Sequence, residues 1–354
     1  MRPTLRKLLL ALGSAVVALI ACEIVVARLD PYGISNYADT GRYLQRAVEG
    51  VDLREEGRLF EQRRSVDVAM RAFDVRTDVL GCRSAVAGAP AGPREPDELR
   101  VLFLGDSATF GWGVDDEQTW IRRLERDARC RDGRHLRCFN AGHLVYDTVQ
   151  QSALFSAWAA RVNPELVVVV FNSNDLDLTW QLLLRGTEQA RIARFDREQS
   201  GALARGWDAL SERFQGLQGL LTLHRQMREA PPVLGGPLAL ADVTGYPQHW
   251  PAVERALDRI LERCRKHGIG LYLFDHARPR IPNVRRWCGE RDVPWIDLAF
   301  TEDEWARDVR VSKADPHANA YGNELLERKA LAGMAALGVL EEPVAPAAGD
   351  AAAR

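Results

Sequence analysis

The feature that most constrains the fold is a series of five short apolar runs that alternate with helical segments, beginning near residue 99. The runs cover residues 100–104, 136–140, 166–171, 269–274 and 294–298, and the helical segments cover residues 117–130, 148–161, 251–267 and 319–337. Continuous apolar runs of this length are typical of parallel strands that helices cover on both faces. The pattern predicts a doubly wound α/β fold with a five-stranded parallel sheet.

The remaining segments predict how the chain is divided. Alternating apolar residues between positions 66 and 75 indicate a strand in an N-terminal extension, residues 30–96, that packs on the core domain, residues 97–340. A turn-rich patch at residues 87–93 marks the boundary between them. The third and fourth strand runs are too far apart for a short crossover, which predicts an insertion at about residues 178–248.

Within the insertion, apolar residues recur at the spacing of an amphipathic helix: Trp207, Leu210, Phe214, Leu217 and Leu221. This stripe packs on the core, covers the site as a lid, or contacts lipid or a second subunit. The last residues, 341–354, are rich in Ala and Pro and are predicted to be a disordered tail.

The N-terminus carries a membrane signal. Arg2, Arg6 and Lys7 precede an apolar run over residues 8–27, interrupted only by Cys22 and Glu23. A helix of about 20 residues is about 30 Å long and spans the hydrocarbon core, while its positive flank stays in the cytoplasm. Residues 1–29 are therefore predicted to be a membrane anchor or signal segment, with the catalytic domain outside the cytoplasm, in the periplasm or the extracellular space.

Two alternatives to an anchor remain open. The segment is a cleaved secretory signal, or it is a lipoprotein signal in which Leu19, Ile20 and Ala21 precede the lipid-bearing Cys22. The apolar stretch continues through residues 24–26, where a lipoprotein usually has a polar tether. This continuation favours the anchor.

Charge and cysteine patterns exclude some function classes. The net charge is -2, and the arginines alternate with acidic residues instead of forming a basic block, so nucleic-acid binding is not indicated. No C-x-x-C pair is present, and metal binding is not indicated either. Cys130 and Cys138 are predicted to form either a short-range disulfide or two unpaired buried thiols.

Chemically active side chains recur where the predicted strands end. Because the carboxyl ends of parallel strands meet at one edge of the sheet, ligands bind there in such folds. The residues concerned are Gly105, Asp106 and Ser107 after the first run, Asn140, Ala141 and Gly142 at the second, Asn174 and Asp175 after the third, and Asp315 and His317 ahead of the last helix.

These residue types suggest nucleophilic catalysis. His317 would take the proton of the Ser107 hydroxyl, and the carboxylate of Asp315 would orient the imidazole. The N–H groups of Ser107 and Gly142 and the amide of Asn174 would form an oxyanion hole. Each signal also has a structural interpretation, because Asp-Ser is an ordinary helix N-cap and Asn, Gly and Ser are ordinary turn residues. Their succession at the strand ends favours catalysis.

The four groups of residues at the strand ends resemble, in the same order, the four sequence blocks of the SGNH (GDSL) hydrolase family. The resemblance covers about residues 99–337 without the insertion. The resemblance implies a flavodoxin-like three-layer α/β/α fold, no cofactor, and ester hydrolysis or acyl transfer through a serine acyl-enzyme. It also implies that Asp106 and Asp175 support the site. Residues 30–35, 76–78 and 80–81 are similar to a bacterial membrane-anchored branch of this family.

The chain departs from the family pattern at two positions. Ser173 stands where the third block commonly has glycine. The acid commonly stands three residues before the histidine, a position that Ala314 fills here, whereas Asp315 stands two before. The second departure leaves open whether Asp315 reaches the imidazole or whether Ser107 and His317 work as a dyad.

Three functions follow from this interpretation. The leading one is a serine carboxylic ester hydrolase acting on an ester-bearing small molecule or on O-acyl groups of a polysaccharide. The second is an O-acyltransferase acting on an envelope polysaccharide, which the predicted membrane attachment suggests. The third is a non-catalytic module of the same fold that binds a glycan or a protein, for which the altered acid spacing is the best support.

Overall fold

The chain is described by a computed structural model that covers residues 3–29, 39–40, 42–44, 46–50, 58, 60–70, 72–178, 240, 243, 245–312 and 315–342. Its strands are β1 Val48–Gly50, β2 Phe60–Gln62, β3 Asp67–Ala69, β4 Asp74–Arg76, β5 Glu98–Gly105, β6 His135–Gly142, β7 Leu166–Phe171, β8 Gly270–Asp275 and β9 Trp295–Asp297. Its helices are α1 Pro3–Leu29, α2 Ser107–Phe110, α3 Trp120–Asp127, α4 Thr148–Val162, α5 Trp250–His267, α6 Pro282–Arg291, α7 Glu302–Ala306 and α8 Ala320–Ala336, with 3-10 turns at Asp116–Gln118 and Ser173–Leu176.

The central sheet has five parallel strands in the order β6-β5-β7-β8-β9. The predicted α/β fold is confirmed, and each predicted strand run coincides with one strand to within two residues at its ends. β5 lies between the edge strand β6 and the central strand β7, so the segments that follow these three strands leave the sheet side by side. The edge where they leave is the one that carries the predicted site residues.

Helices cover both faces of the sheet. Alternate residues of β5 point to opposite faces, as in any strand: Leu102 and Leu104 join one core cluster, and Val101 and Phe103 join the other. The first cluster is completed by residues of α4, α5 and α6, and the second by residues of α3 and α8. These two cores produce the three layers that the sequence pattern indicates.

The N-terminal extension forms two antiparallel hairpins, β1–β2 and β3–β4. The alternation at residues 66–75 predicts a strand, and the structure contains two short strands there, with Val68 opposite Val75. The apolar side chains of the extension pack into the core cluster of α4 and α5; they include Val48, Phe60, Val66, Met70, Phe73 and Val75. The proposed boundaries of the extension and the core domain stay predictions.

Part of the predicted organisation lies outside the described residues. This is the case for the apolar stripe from Trp207 to Leu221, for most of the insertion and for residues 343–354 of the tail. At the N-terminus, α1 contains one stretch, Thr4–Val25, that is long and apolar enough to cross a membrane, with a mean hydropathy of 2.5. Many of its apolar side chains are exposed, among them Leu10, Val17 and Leu19.

The Cys130–Cys138 disulfide does not form. Both residues are buried free thiols, which is the second of the two alternatives. Burial raises the pKa of Cys130 to about 11 and that of Cys138 well above its usual value, so both are protonated at neutral pH. A protonated, buried thiol is a poor nucleophile for disulfide exchange.

The close approach of β6 to α2 predicts the effect of one substitution. A Cβ atom on Gly142 would lie 2.3 Å from the backbone nitrogen of Phe110, which cannot move without shifting α2. We expect Gly142→Ala to lower the free energy of unfolding by about 1–3 kcal/mol because of this overlap. Urea denaturation measures the change.

Gly289 provides the matched control, because it is an exposed residue of α6 with nothing within 4 Å of an added Cβ. Gly289→Ala should leave stability unchanged or raise it by about 0.5–1 kcal/mol, through helix propensity. Equal midpoints for Gly142→Ala and the unsubstituted protein would contradict the packing described for β6 and α2.

Candidate active site

Ser107 lies at the turn between β5 and the first helix after it. It is the first residue of α2, which directly follows β5 and Asp106. The Asp106 side chain caps this helix, since one carboxylate oxygen accepts the N–H of Ala108 at 2.9 Å. Gly105 leaves room for the turn, because a Cβ atom there would lie 1.9 Å from Thr109 Oγ1. The N-cap interpretation of Asp106 and the nucleophile interpretation of Ser107 are thus compatible.

His317 joins Ser107 across 210 residues of chain. Its Nε2 lies 2.7 Å from Ser107 Oγ, and its Nδ1 lies 2.5 Å from Asp315 Oδ1. The histidine side chain is 28% exposed, so the pair is reachable from solvent, whereas Asp315 is buried. Ser107, His317 and Asp315 therefore form one continuous hydrogen-bonded chain that opens to the surface at the serine end.

A local turn allows Asp315 to reach the imidazole from only two residues away. Asp315 Oδ1 accepts the backbone N–H of His317 at 3.0 Å as well as the ring nitrogen. A carboxylate that accepts the N–H two residues later forms an Asx turn, in which the intervening residue is Pro316. The unusual acid spacing thus does not separate acid and base. The alternative acid position, Ala314, lies outside the described residues.

The charges of this pair stabilise each other. Burial lowers the pKa of His317, but its hydrogen bond to Asp315 and the charge of that carboxylate outweigh burial, and the pKa is raised above 6.5. Burial likewise raises the pKa of Asp315, but His317 lowers it below its ordinary value. Asp315 is therefore ionised at neutral pH, as the orienting acid of such a pair must be.

Asp106 also links the serine turn to the turn after β7. Its second carboxylate oxygen accepts the side-chain amides of Asn174, at 2.8 Å, and Asn172, at 3.2 Å. An amide nitrogen carries two hydrogens, so Asn174 retains one donor besides the one that Asp106 engages. Ser173, the residue in place of glycine, donates its hydroxyl to the carbonyl of Arg278 at 3.3 Å.

Asp175 holds the same turn from the opposite side. It accepts the Asn172 N–H at 2.7 Å, the Thr148 hydroxyl at 2.8 Å and the Gln151 amide at 2.8 Å. Burial, together with the charge of Asp106, raises the pKa of Asp175 well above its usual value, and the bonds from the Asn172 N–H and the Thr148 hydroxyl partly offset this. The turn that carries Asn174 is thus fixed between Asp106 and α4.

The backbone N–H and carbonyl of Gly142 are both hydrogen-bonded within the protein, whereas an oxyanion hole requires a free N–H. Its N–H donates to Asn140 Oδ1 at 3.1 Å, and its carbonyl accepts the Gln62 amide at 2.6 Å. Glycine is required at this position because a side chain would overlap the backbone of Phe110. The N–H that Gly142 would contribute to an oxyanion hole is therefore already engaged, and its role stays a prediction.

Val145 is a residue of the site region that sequence reasoning missed. It adopts a left-handed backbone conformation with a φ angle of 56°. This conformation is strained for a β-branched residue, and such strain is often found at functional sites. The segment around it runs between the two turns already described: the N–H of His143 donates to the Gly105 carbonyl at 3.1 Å, and Thr148 bonds Asp175. Nothing in the residue type signals this conformation, because glycine is the residue expected there.

The extension supports the same loop. The backbone N–H of Gln62 donates to His143 Nε2 at 3.1 Å, while its side chain bonds Gly142. Burial lowers the pKa of His143 to about 4, so this histidine is neutral and accepts the bond at ordinary pH. Tyr146 also donates its hydroxyl to the carbonyl of Phe60. The loop after β6 therefore depends on β2 for its position.

Comparison with known proteins places this site in a family. The model of the GDSL-like lipase/acylhydrolase family matches residues 103–325, a range that includes Ser107, Asn174 and His317. Among curated protein sequences, none matches this chain.

Several solved structures are similar to the chain. A protein of the G-D-S-L family from Desulfitobacterium hafniense is 13% identical over 65% of this chain and 97% of its own, with a TM-score of 0.38. The psychrotrophic esterase EstA from Pseudoalteromonas sp. is 10% identical over 67% and 97%, with a TM-score of 0.40. A GDSL-like lipase from Bacteroides thetaiotaomicron is 13% identical over 70% and 94%, with a TM-score of 0.37.

The family model spans the strand of the nucleophile turn, the turns after β6 and β7, and the histidine segment, all of which meet at one edge of the sheet. On this match, the chain belongs to the GDSL-like lipase/acylhydrolase family.

Proposed function

We propose that the protein is a serine hydrolase of carboxylic esters, with Ser107 as nucleophile, His317 as general base and Asp315 as the orienting acid. The observation that carries this proposal is the chain of hydrogen bonds from Ser107 Oγ through both ring nitrogens of His317 to Asp315 Oδ1, at 2.7 Å and 2.5 Å. Membership of an acylhydrolase family supports the same reaction class.

In this mechanism His317 takes the Ser107 proton as the hydroxyl oxygen attacks the ester carbonyl carbon. The tetrahedral intermediate collapses, the alcohol leaves with the proton from His317, and the acyl group stays on Ser107. Water, deprotonated by His317, then attacks the acyl-enzyme and releases the acid. Asp315 keeps Nδ1 protonated throughout, so that Nε2 is the nitrogen that faces the serine.

The oxyanion needs preorganised donors at the same edge. We assign two of them to the Ser107 N–H, at the start of α2, and to the free hydrogen of the Asn174 amide. We propose that the N–H of Val145 is the third, because that of Gly142 already donates to Asn140 and no described residue accepts from Val145. Its strained backbone, held between the Gly105 and Asp175 turns, is the supporting observation.

We further propose that α1 anchors this enzyme in a membrane, with the catalytic domain outside the cytoplasm. The apolar stretch has 22 residues, about 33 Å as a helix, which matches the hydrocarbon core. Arg6 and Lys7 lie at its N-terminal end, the end that the positive-inside rule keeps in the cytoplasm. An anchor of this kind would hold the site near esters of the cell envelope.

The first test removes the nucleophile. Ser107→Ala should lower kcat for 4-nitrophenyl acetate by about 10⁴-fold or more, because Ser107 carries the hydroxyl that is bonded to His317 Nε2. Ser156→Ala, at an exposed serine of α4, is the matched control and should retain full activity. Undiminished turnover by the Ser107→Ala protein, with a native circular dichroism spectrum, would refute the assignment.

The second test uses pH. His317 acts as a base only when neutral, so kcat/KM should fall as pH decreases through its pKa, which is raised above the ordinary value of a histidine. Asp315→Asn removes the partner that raises this pKa and leaves the burial that lowers it. The midpoint should therefore move to lower pH, and kcat should fall by up to about 10⁴-fold, as in the Ser-His-Asp triad of serine proteases.

Asp308→Asn, at an exposed aspartate ahead of the same segment, should change neither quantity. NMR titration of the His317 ring gives the midpoint independently of turnover. An Asp315→Asn protein that keeps both the midpoint and the rate would show that His317 works without its acid.

A further inference from the structure

Beside the proposed catalytic chain, two guanidinium groups contact one indole ring. The Cζ atoms of Arg278 and Arg310 lie 4.2 Å and 5.2 Å from the centre of the Trp305 ring. Trp305 belongs to α7, and its ring also lies 6.2 Å from that of Phe300. Stacking on an aromatic ring holds a guanidinium in place while its N–H edge stays available.

Both arginines are carried by segments that bond directly to the site. The Arg278 carbonyl accepts the hydroxyl of Ser173, next to Asn174. Arg310 pairs with Ala318 in an isolated β-bridge, and the N–H of the next residue, Val311, donates to the His317 carbonyl at 2.8 Å. The cationic pair therefore flanks the carboxyl edge of the sheet where Ser107 lies.

A histidine connects this pair to the catalytic groups. His276 directly follows β8, and its ring lies 5.7 Å from that of Phe300. Its backbone N–H donates at 2.8 Å to the carbonyl of Phe171, directly before Asn172, whose side-chain amide bonds Asp106. The cluster of Arg278, Arg310, Trp305, Phe300 and His276 is thus contiguous with the proposed active site.

The cluster has unused buried polar atoms. Arg278 Nη1, Arg310 Nε and His276 Nδ1 are buried and have no hydrogen-bond partner. Among the described residues, the acid bonded to Arg278 is Glu302, which is 75% exposed and engages only Nη2, and no acid pairs with Arg310. Leaving buried donors unpaired is unfavourable, and an anion that accepts from them would relieve this cost.

We propose that the substrate ester carries a carboxylate, which Arg278 and Arg310 bind while the ester carbonyl lies at Ser107. Guanidinium groups suit this ligand, because their paired N–H donors match the two oxygens of a carboxylate. The inference rests on the proposed esterase function and narrows it to esters of acidic molecules, such as an O-acylated acidic sugar.

The test compares esters that differ in one charge: 3- and 4-acetoxybenzoate against the corresponding acetoxybenzamides. The wild-type enzyme should have the higher kcat/KM for the carboxylates at low salt. Arg310→Leu and Arg278→Leu should each reduce the carboxylate-to-amide ratio of kcat/KM by about 10-fold or more, mainly through KM, and Arg310→Lys should restore part of it.

The matched control is Arg137→Leu, which removes an arginine stacked on Phe139 in the opposite edge strand of the sheet. It should leave the ratio unchanged. Because the ratio compares two esters in the same protein, a general loss of folding or of catalytic rate does not move it.

The possible failures are distinguishable. Turnover of both esters without preference for the carboxylate, or a ratio that Arg310→Leu and Arg278→Leu leave intact, would overturn this inference alone. Turnover of neither ester by the wild-type protein would overturn the proposed function and this inference with it.

Discussion

The parallel pairing of β5 with β6 and β7 is the constraint on which the rest of the site depends. Gly105 pairs with Gly142, and Leu104 pairs with Val169, so three chain segments leave the sheet at the same level. The buried apolar residues of β5 specify this register, because a shift by one residue would exchange the side chains that face the two cores. Ser107, the loop around Val145 and Asn174 are neighbours for this reason.

The Asp106 carboxylate then joins these segments. It caps α2 with one oxygen and accepts the amides of Asn172 and Asn174 with the other. A fully buried carboxylate is costly unless donors surround it, and here backbone and side-chain N–H groups do so. The hydrogen bonds that stabilise this charge also orient the residues proposed to bind the oxyanion, so the stability of the turn and the geometry of the site depend on the same group.

The repetitive parts of the fold could be predicted from the sequence. Buried parallel strands and amphipathic helices leave a periodic apolar pattern, and the order of the strand ends places Ser107, Asn174 and His317 at one edge. The parts that could not be predicted depend on individual backbone geometry. Asp315 reaches His317 through an Asx turn, which spacing alone does not reveal. Val145 adopts a conformation that its residue type disfavours.

Contacts between distant segments were also beyond sequence reasoning. The bond from Gln62 to His143 joins the extension to the loop after β6, and no local pattern marks either partner. The spacing of Cys130 and Cys138 suggested a disulfide, but both residues are free thiols that are buried in the core. Trp305 and its two arginines come together only through the turns that follow β8 and α7.

The proposed mechanism requires Ser107 to be a nucleophile that His317 activates in the folded protein. A fluorophosphonate probe, which reacts with such serines, tests it most directly when the labelled peptide is identified by mass spectrometry. We expect one adduct, on Ser107, that is lost after urea unfolding and in a His317→Ala protein. Absence of label on Ser107 in the folded protein, or equal labelling after unfolding, would contradict it.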